Sequence, residues 1–348
     1  MEVGSVPDIF QDAEGQDADA ILRVCSYHRR DFDLVVVRSR PHEMQPVYAS
    51  LQAPFETQPI AQLGIFDSLP PELMSLILRF LDLRSLLRFR HVNRQARIVS
   101  SNLWAWELVS KHGLEGLRGL LRAGLAPCFT IDDLYRPLIS DRCSVCGGFG
   151  GHLFLYTAER CCLKCLESSA HYRVLSIFMF AKLARVSSSR INRLGAVCLR
   201  TVPGIYNMME TPPRRPKCLI LQRKATQALV AEGFVTEDAA RRLKARDEQP
   251  GQRFMAATAY PCYDLESATL ERGVSCKGCQ IRQEATHNAW DDRDRVFSSR
   301  DFLSHFKRCA EARRLWGQSE GGTRTVVEPE FTRRCGYFKV LGPDGLPA

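Results

Sequence analysis

Residues 65–106 decide the fold of this chain, and they read IFDSLPPELMSLILRFLDLRSLLRFRHVNRQARIVSSNLWAW. Pro70 and Pro71 suit a first helical turn, where a missing N–H costs nothing, and Glu72 places negative charge at the positive helix end. The apolar residues that follow at helical spacing predict one wide face: Leu73, Met74, Ile77, Leu78 and Leu81.

Two further short helices follow in the same stretch. Asp82 interrupts the first apolar run, and residues 92–99 form a third segment with a thin apolar stripe. The second apolar set lies between them and consists of Leu83, Leu86, Leu87 and Phe89. Three such helices in about forty residues are below the size that usually folds alone, so a partner or the rest of the chain should cover them.

The order of these residues resembles the F-box family. The matching positions are Leu69-Pro70-x-Glu72-Leu73, Ile77-Leu78, Leu81-Asp82-Leu83, Leu86-Leu87, Arg90-x-Val92-x-Arg94 and Leu103-Trp104. The departures are Asn93, where the family often has Cys, and Ala96, where it often has Trp. The alternative interpretation is an ordinary three-helix piece of a larger core.

The resemblance implies that this segment docks a Skp-type adaptor and, through it, a cullin–RING ubiquitin ligase. The residues implied for this contact are Leu69, Pro70, Leu73, Met74, Ile77, Leu78, Leu81, Leu86, Leu87, Arg90 and Val92. The chain would then be a non-catalytic receptor that presents an unknown protein substrate for ubiquitination.

Composition favours an intracellular chain of two or three small domains. The chain has 348 residues, and its most apolar window, residues 174–181, is far too short to span a bilayer. The first twenty residues contain six acids and no Lys or Arg, unlike a secretory signal. We therefore expect the 14 cysteines to be mostly reduced, so that paired cysteines indicate metal more than disulfides.

The formal charge of +9 allows contact with nucleic acid or acidic partners. The basic residues do not form one dense block but scattered pairs: Arg214-Arg215, Arg241-Arg242, Arg313-Arg314 and Arg333-Arg334. That scatter favours a solvated surface over a nucleic-acid footprint. A nucleic-acid-binding zinc-finger protein nevertheless remains the alternative function.

The spacing of the first cysteine cluster is typical of a structural zinc site. Fifteen residues separate the pair Cys143 and Cys146 from the pair Cys162 and Cys165, and four thiolates at this spacing can close a tetrahedral shell. A glycine turn after the first pair, a hairpin strand over residues 152–157 and a helix after Cys165 predict a treble-clef module. Cys161 competes with Cys162 for the third position, and the CxxC spacing favours Cys162.

The second cluster predicts a second structural zinc ion. It comprises Cys276, Cys279, His305 and Cys309, and the last two, at i and i+4, would lie on one helix face. Phe302 and Val296 precede His305 at the offsets of zinc-finger core residues, with an insertion over residues 284–294. Buried free thiols are the alternative for the first cluster, and a lone His packed on a Cys for the second.

Downstream of the three helices, the chain resembles fungal F-box proteins with a Cys-rich region and a Pro-Gly-x-Tyr segment, here residues 203–206. A RING-type ligase needs eight interleaved ligands, whereas only four lie in the first cluster. Closed four-ligand zinc sites also leave no open position for catalysis. Two structural zinc ions and no enzymatic activity are therefore expected.

The predicted fold class is mainly α with small α+β zinc-binding modules: an N-terminal three-helix F-box, then a helical body stapled by two zinc sites. The predicted domains are an acidic, largely disordered tail and linker (1–60), the F-box (65–106), a helical connector (107–140), a treble-clef-like zinc module (141–215), a helical region with the Cys/Cys/His/Cys module (216–316) and a C-terminal tail (317–348).

Overall fold

The computed structural model describes residues 16–52, 58–193, 198–202, 216–241, 243, 251–286 and 293–336. Helices dominate it, and the strands form small sheets of two or three strands, which confirms the predicted fold class. None of the described helices is long and apolar enough to cross a membrane.

The described helices are α1 (Gln16–Cys25), α2 (Arg30–Leu34), α3 (Pro41–Gln52), α4 (Pro71–Phe80), α5 (Leu83–Arg90), α6 (Arg94–Ser101), α7 (Trp104–His112), α8 (Leu114–Ala123), α9 (Ile131–Leu138), α10 (Leu163–Ser168), α11 (Ile177–Ala184), α12 (Ser188–Arg193), α13 (Gln222–Ala231), α14 (Glu237–Arg241), α15 (Gly251–Phe254), α16 (Lys277–Thr286), α17 (Ser299–Phe306), α18 (Ala310–Gln318) and α19 (Glu330–Arg333). The strands are β1 (Ser26–Tyr27), β2 (His152–Phe154), β3 (Glu159–Cys161), β4 (Val174–Ser176), β5 (Leu199–Arg200), β6 (Cys218–Leu221), β7 (Ala257–Ala259), β8 (Cys262–Asp264), β9 (Thr269–Glu271) and β10 (Ser275–Cys276).

The chain divides into two compact units. The terminal unit consists of Met1–Asp31 and Gly273–Ala348, and the central unit is Phe32–Arg272. The sequence predicts a tail and linker over residues 1–60 and a separate tail over 317–348. The structure instead has α1, α2, α3 and α19 within these segments.

In the terminal unit, α1 packs against α17 and α18, and β1 pairs antiparallel with β10. Ile21 and Cys25 lie one turn apart on α1 and share a buried cluster with Phe302, Phe306 and Leu315. Burial of this stripe is the physical reason why the N-terminal segment is helical and joins the C-terminal metal-ligand cluster.

In the central unit, one core joins α4–α9 to the sheet β3-β2-β7. Trp106 is its largest fully buried side chain, and Leu83, Leu86 and Leu134 are also fully buried. A second sheet, β4-β6-β5, supports a smaller apolar cluster with α11–α13. The sequence also predicts a helix over residues 114–125 despite its glycines, and the structure has α8 there, which ends at Ala123 before Gly124, whose φ is +78°.

Three local predictions differ from the structure. The apolar run at residues 34–37 predicts one short strand over residues 34–38; the structure has only a single bridge of Val37 to Thr258, because α2 continues to Leu34. The helix after Cys165 ends at Ser168, and a new helix begins after Ser176, whose side chain accepts a hydrogen bond from Met179 N. The predicted helical region 216–316 is divided, because the central unit ends at Arg272 and the terminal unit resumes at Gly273. The Pro-Gly-x-Tyr segment lies outside the described residues.

Candidate docking surface and metal centres

A proline in the first turn and two side-chain caps set the starts of the three helices that follow residue 70. Pro71 occupies the first turn of α4, Asp82 accepts hydrogen bonds from the amides of Arg84 and Ser85, and Asn93 accepts one from Ala96 N. Each cap satisfies amides that the first helical turn leaves unpaired. Local sequence therefore determines where α4, α5 and α6 begin.

Helix α4 has two apolar faces. Met74 and Leu78 point into the central core, and Leu78 is only 1% exposed. The opposite face carries four apolar side chains at i, i+3, i+4 and i+7: Leu73, Leu76, Ile77 and Phe80, exposed by 49, 47, 41 and 77%. Ile65, Phe66 and Val92 are also exposed. Exposed apolar residues in such a group mark an interaction surface.

Arg90 is buried inside the central unit. Its guanidinium lies 4.0 Å from the centre of the Trp106 ring and donates to the hydroxyls of Ser100 and Ser101 at 3.0 and 2.9 Å. Burial, and then the nearby charge of Arg97, lowers the pKa of Arg90 to about 10, so it remains a cation at neutral pH. Arg90 therefore joins α5 to α6 and α7 inside the chain.

The first cluster brings together Cys143, Cys146, Cys162 and Cys165, whose sulfurs all lie within 4.8 Å of one another. The Cys146 and Cys162 sulfurs are 3.7 Å apart. A tetrahedral ion with metal–sulfur bonds of about 2.3 Å requires sulfurs about 3.8 Å apart. The cluster therefore fits a single metal ion.

The elements around the first cluster occur in the predicted order. A turn that contains Gly147, with φ +70°, holds the first pair, and β2 and β3 form a hairpin. Cys162 then caps α10 and accepts a hydrogen bond from Cys165 N at 3.3 Å. The hydrogen bond between the two thiols lowers the pKa of Cys143 and raises that of Cys162, because Cys162 donates the proton and the Cys143 sulfur accepts it. Cys161 is instead fully buried in the core.

The second cluster brings together Cys276, Cys279, His305 and Cys309. The Cys309 sulfur lies 3.8 Å from that of Cys276 and 4.0 Å from that of Cys279, and the Cys279 sulfur lies 3.4 Å from His305 Nε2. Hydrogen bonds from Cys276 and Cys279 lower the pKa of Cys309. These distances also fit one tetrahedral ion.

Two details of the second cluster differ from the sequence prediction. Helix α17 ends at Phe306, and Cys309 precedes α18, so His305 and Cys309 flank a turn rather than share one helix face. The buried aromatic beside the ligand is Phe297, stacked 4.6 Å from the His305 ring, rather than the half-buried Val296. The turn allows α18 to pack back against α16.

Gly278 permits that packing. A Cβ at this position would lie 2.3 Å from the backbone nitrogen of Ala312, and backbone cannot move aside as a flexible side chain can. We expect Gly278→Ala to destabilise the terminal unit by about 3 kcal/mol or more. Gly317→Ala on α18 is the matched control, because nothing lies within 4 Å of its Cβ, and it should stabilise slightly. Equal denaturation midpoints for the two variants would contradict this packing argument.

The comparisons with known proteins decide the identity of the three-helix segment. The family model for the F-box domain matches residues 66–108. The chain contains an F-box domain. No curated protein and no solved structure matches the chain significantly. At the general level, the F-box supports a substrate-recognition subunit of an SCF-type ubiquitin ligase, and F-box proteins are typically non-catalytic.

The F-box residues that the sequence assigned to the adaptor fall into three classes. Pro70, Leu73, Ile77 and Val92 are exposed, and Leu69, Leu81 and Leu87 are half-buried. The other four pack inside the central unit, where a partner cannot reach them: Met74, Leu78, Leu86 and Arg90. The assignment of these four to the adaptor is therefore corrected, because the chain's own core uses their side chains.

Sequence reasoning missed Leu76 and Phe80 on the outer face, although the i, i+3, i+4, i+7 spacing from Leu73 indicated them. It also missed Arg160, which is buried in β3 and donates to four backbone carbonyls around the first cluster: Pro137, Gly150, Tyr260 and Pro261. Arg160 fixes the loops beside the cluster. No local pattern indicated it, because its four acceptors are distant in sequence or in irregular segments.

Proposed function

We propose that this F-box protein docks a Skp-type adaptor through the outer face of α4 and recruits a cullin–RING ubiquitin ligase to a protein substrate. The observation that carries the proposal is the exposed apolar row Leu73, Leu76, Ile77 and Phe80 within the family match. Its burial by a partner removes apolar surface from water, which is favourable by about 25 cal/mol per Å².

We also propose that both clusters hold zinc and that the zinc ions are structural. Cysteine and histidine donors in tetrahedral sets of four are typical of structural zinc. Such a closed set leaves no position for a substrate, which supports a non-catalytic role. The zinc-stapled body would hold the substrate while the F-box holds the adaptor.

Reconstitution tests the proposed function. The purified full chain is immobilised and mixed with a cullin–RING core, with or without a purified Skp-type adaptor. The cullin should be retained only when the adaptor is present, because the F-box contacts the adaptor alone. Retention without the adaptor, or no retention with it, would contradict the proposal.

A further inference from the structure

Positive charge is concentrated near the second cluster. Residues 293–314 contain seven basic and three acidic residues, a net charge of +4 within a chain of +9. Six of these cations are exposed, and for four of the six no described hydrogen bond, ion pair or ring contact engages the side chain: Arg300, Lys307, Arg308 and Arg313. We call these four residues the basic face.

The basic face is held on two helices joined by a short turn. Arg300 and Lys307 are seven residues apart, which places them on one side of α17 and its helical C-cap, two turns apart. Arg313 is exposed on α18, whose residues Ala312 and Leu315 are buried. The metal-ligand cluster and the packing of α16 on α18 fix these two helices in place.

Helix α18 also leaves room for close approach. Its exposed side carries the small residues Ala310 and Gly317. Viewed down the helix axis, both lie in the angular sector between Arg313 and Arg314. Nothing lies within 4 Å of the position a Gly317 Cβ would occupy. A helix is about 10–12 Å wide, close to the width of about 12 Å of the major groove of a DNA duplex.

The chemistry of this face distinguishes between two kinds of partner. Protein interfaces contain an apolar core, whereas binding to a nucleic-acid backbone rests on cations and phosphates. Among the described residues of the terminal unit, Val327 is the one exposed large apolar side chain. The F-box has at least seven, so the two surfaces suit different partners.

We propose that the basic face binds the phosphate backbone of a nucleic-acid duplex. This role goes beyond adaptor docking and is independent of it. Four cations that neutralise about four phosphates should give a salt slope of about −3.6 in log affinity, or a roughly 100-fold loss of affinity between 50 and 200 mM salt.

Fluorescence anisotropy of the full chain with a labelled 20-base-pair DNA duplex of mixed sequence tests the proposal. Arg300→Ala, Lys307→Ala, Arg308→Ala and Arg313→Ala combined should weaken binding at least 100-fold at 50 mM salt and flatten the salt slope. The matched control combines Lys111→Ala, Lys182→Ala, Arg200→Ala and Lys217→Ala, four exposed cations of the central unit whose side chains no described hydrogen bond or ion pair engages. The control should bind duplex as the unmodified chain does.

Metal content and adaptor binding measured on the same samples show whether the variants remain folded. If the quadruple variant loses metal, Arg300→Ala with Arg313→Ala serves instead and should halve the salt slope. No duplex binding by the unmodified chain at 50 mM salt would overturn the proposal. An equal loss of duplex affinity in the control variant would also overturn it. Displacement of the duplex by a polyglutamate peptide at equal charge would overturn it too, because that result would indicate an acidic protein partner.

Discussion

Cys279→Ser should remove one of two zinc ions and unfold the terminal unit. Cys279 is fully buried, and its sulfur contacts both His305 and Cys309. Binding energy of structural zinc is folding energy, with apparent values of about 10–16 kcal/mol in small zinc modules. This exceeds the stability of a small unit. Metal analysis should fall from about two zinc ions per chain to about one, and protease should cleave within residues 293–318.

Cys335→Ser is the matched control for this result. Cys335 belongs to the same unit, but its sulfur lies outside both clusters. The control should keep two ions and full protease resistance. Adaptor binding should survive in both variants, because the F-box lies in the central unit. Cys279→Ser protein that retains two ions and resists protease would contradict the metal assignment.

Leu73→Asp combined with Ile77→Asp should abolish adaptor binding without unfolding the chain. Both side chains are already 49 and 41% exposed, so a carboxylate at either position stays hydrated in the free protein. Docking would bury both charges in an apolar interface at a cost of several kcal/mol. We expect affinity for a Skp-type adaptor, measured by calorimetry, to fall by about 1,000-fold or more.

Phe178→Asp combined with Leu265→Asp controls for the loss of exposed apolar surface. Both residues lie in the central unit outside the F-box and are 70 and 49% exposed. This variant should bind the adaptor normally. Leu78→Asp is unsuitable, because the 1% exposed Leu78 would carry its charge into the core and unfold the unit. An unchanged affinity for the Leu73/Ile77 variant would exclude the outer face of α4 as the docking surface.

The F-box could be predicted because its determinants are local. Pro70 and Pro71 at the start of α4 and the capping residues Asp82 and Asn93 set the helix starts within a few residues of sequence. The direction of each apolar face could not be predicted in the same way. Both faces of α4 are apolar, so the periodicity of the sequence predicted one wide apolar face. Only the packing of the core shows that Leu78 is buried and Leu73 is exposed.

The metal-ligand clusters could also be predicted from the sequence, because each CxxC pair places two ligands on one turn. The packing of the N-terminal helix against the C-terminal segment could not be predicted. The Cys25 thiol donates a hydrogen bond to the Ala312 carbonyl, and these residues are 287 positions apart. The one local indication of this packing was the pair Ile21 and Cys25 at i and i+4. The pair lies in the segment that the sequence predicted to be an acidic, largely disordered tail and linker. Long-range burial, not local propensity, makes α1 a helix.

Native mass spectrometry of the full chain mixed with a Skp-type adaptor tests the central claim most directly, because it measures partner and metal together. We expect a one-to-one complex that carries two zinc ions on this chain. A free chain that stays unbound at micromolar adaptor while carrying both ions would contradict adaptor docking. A complex without zinc would contradict the metal-stapled body.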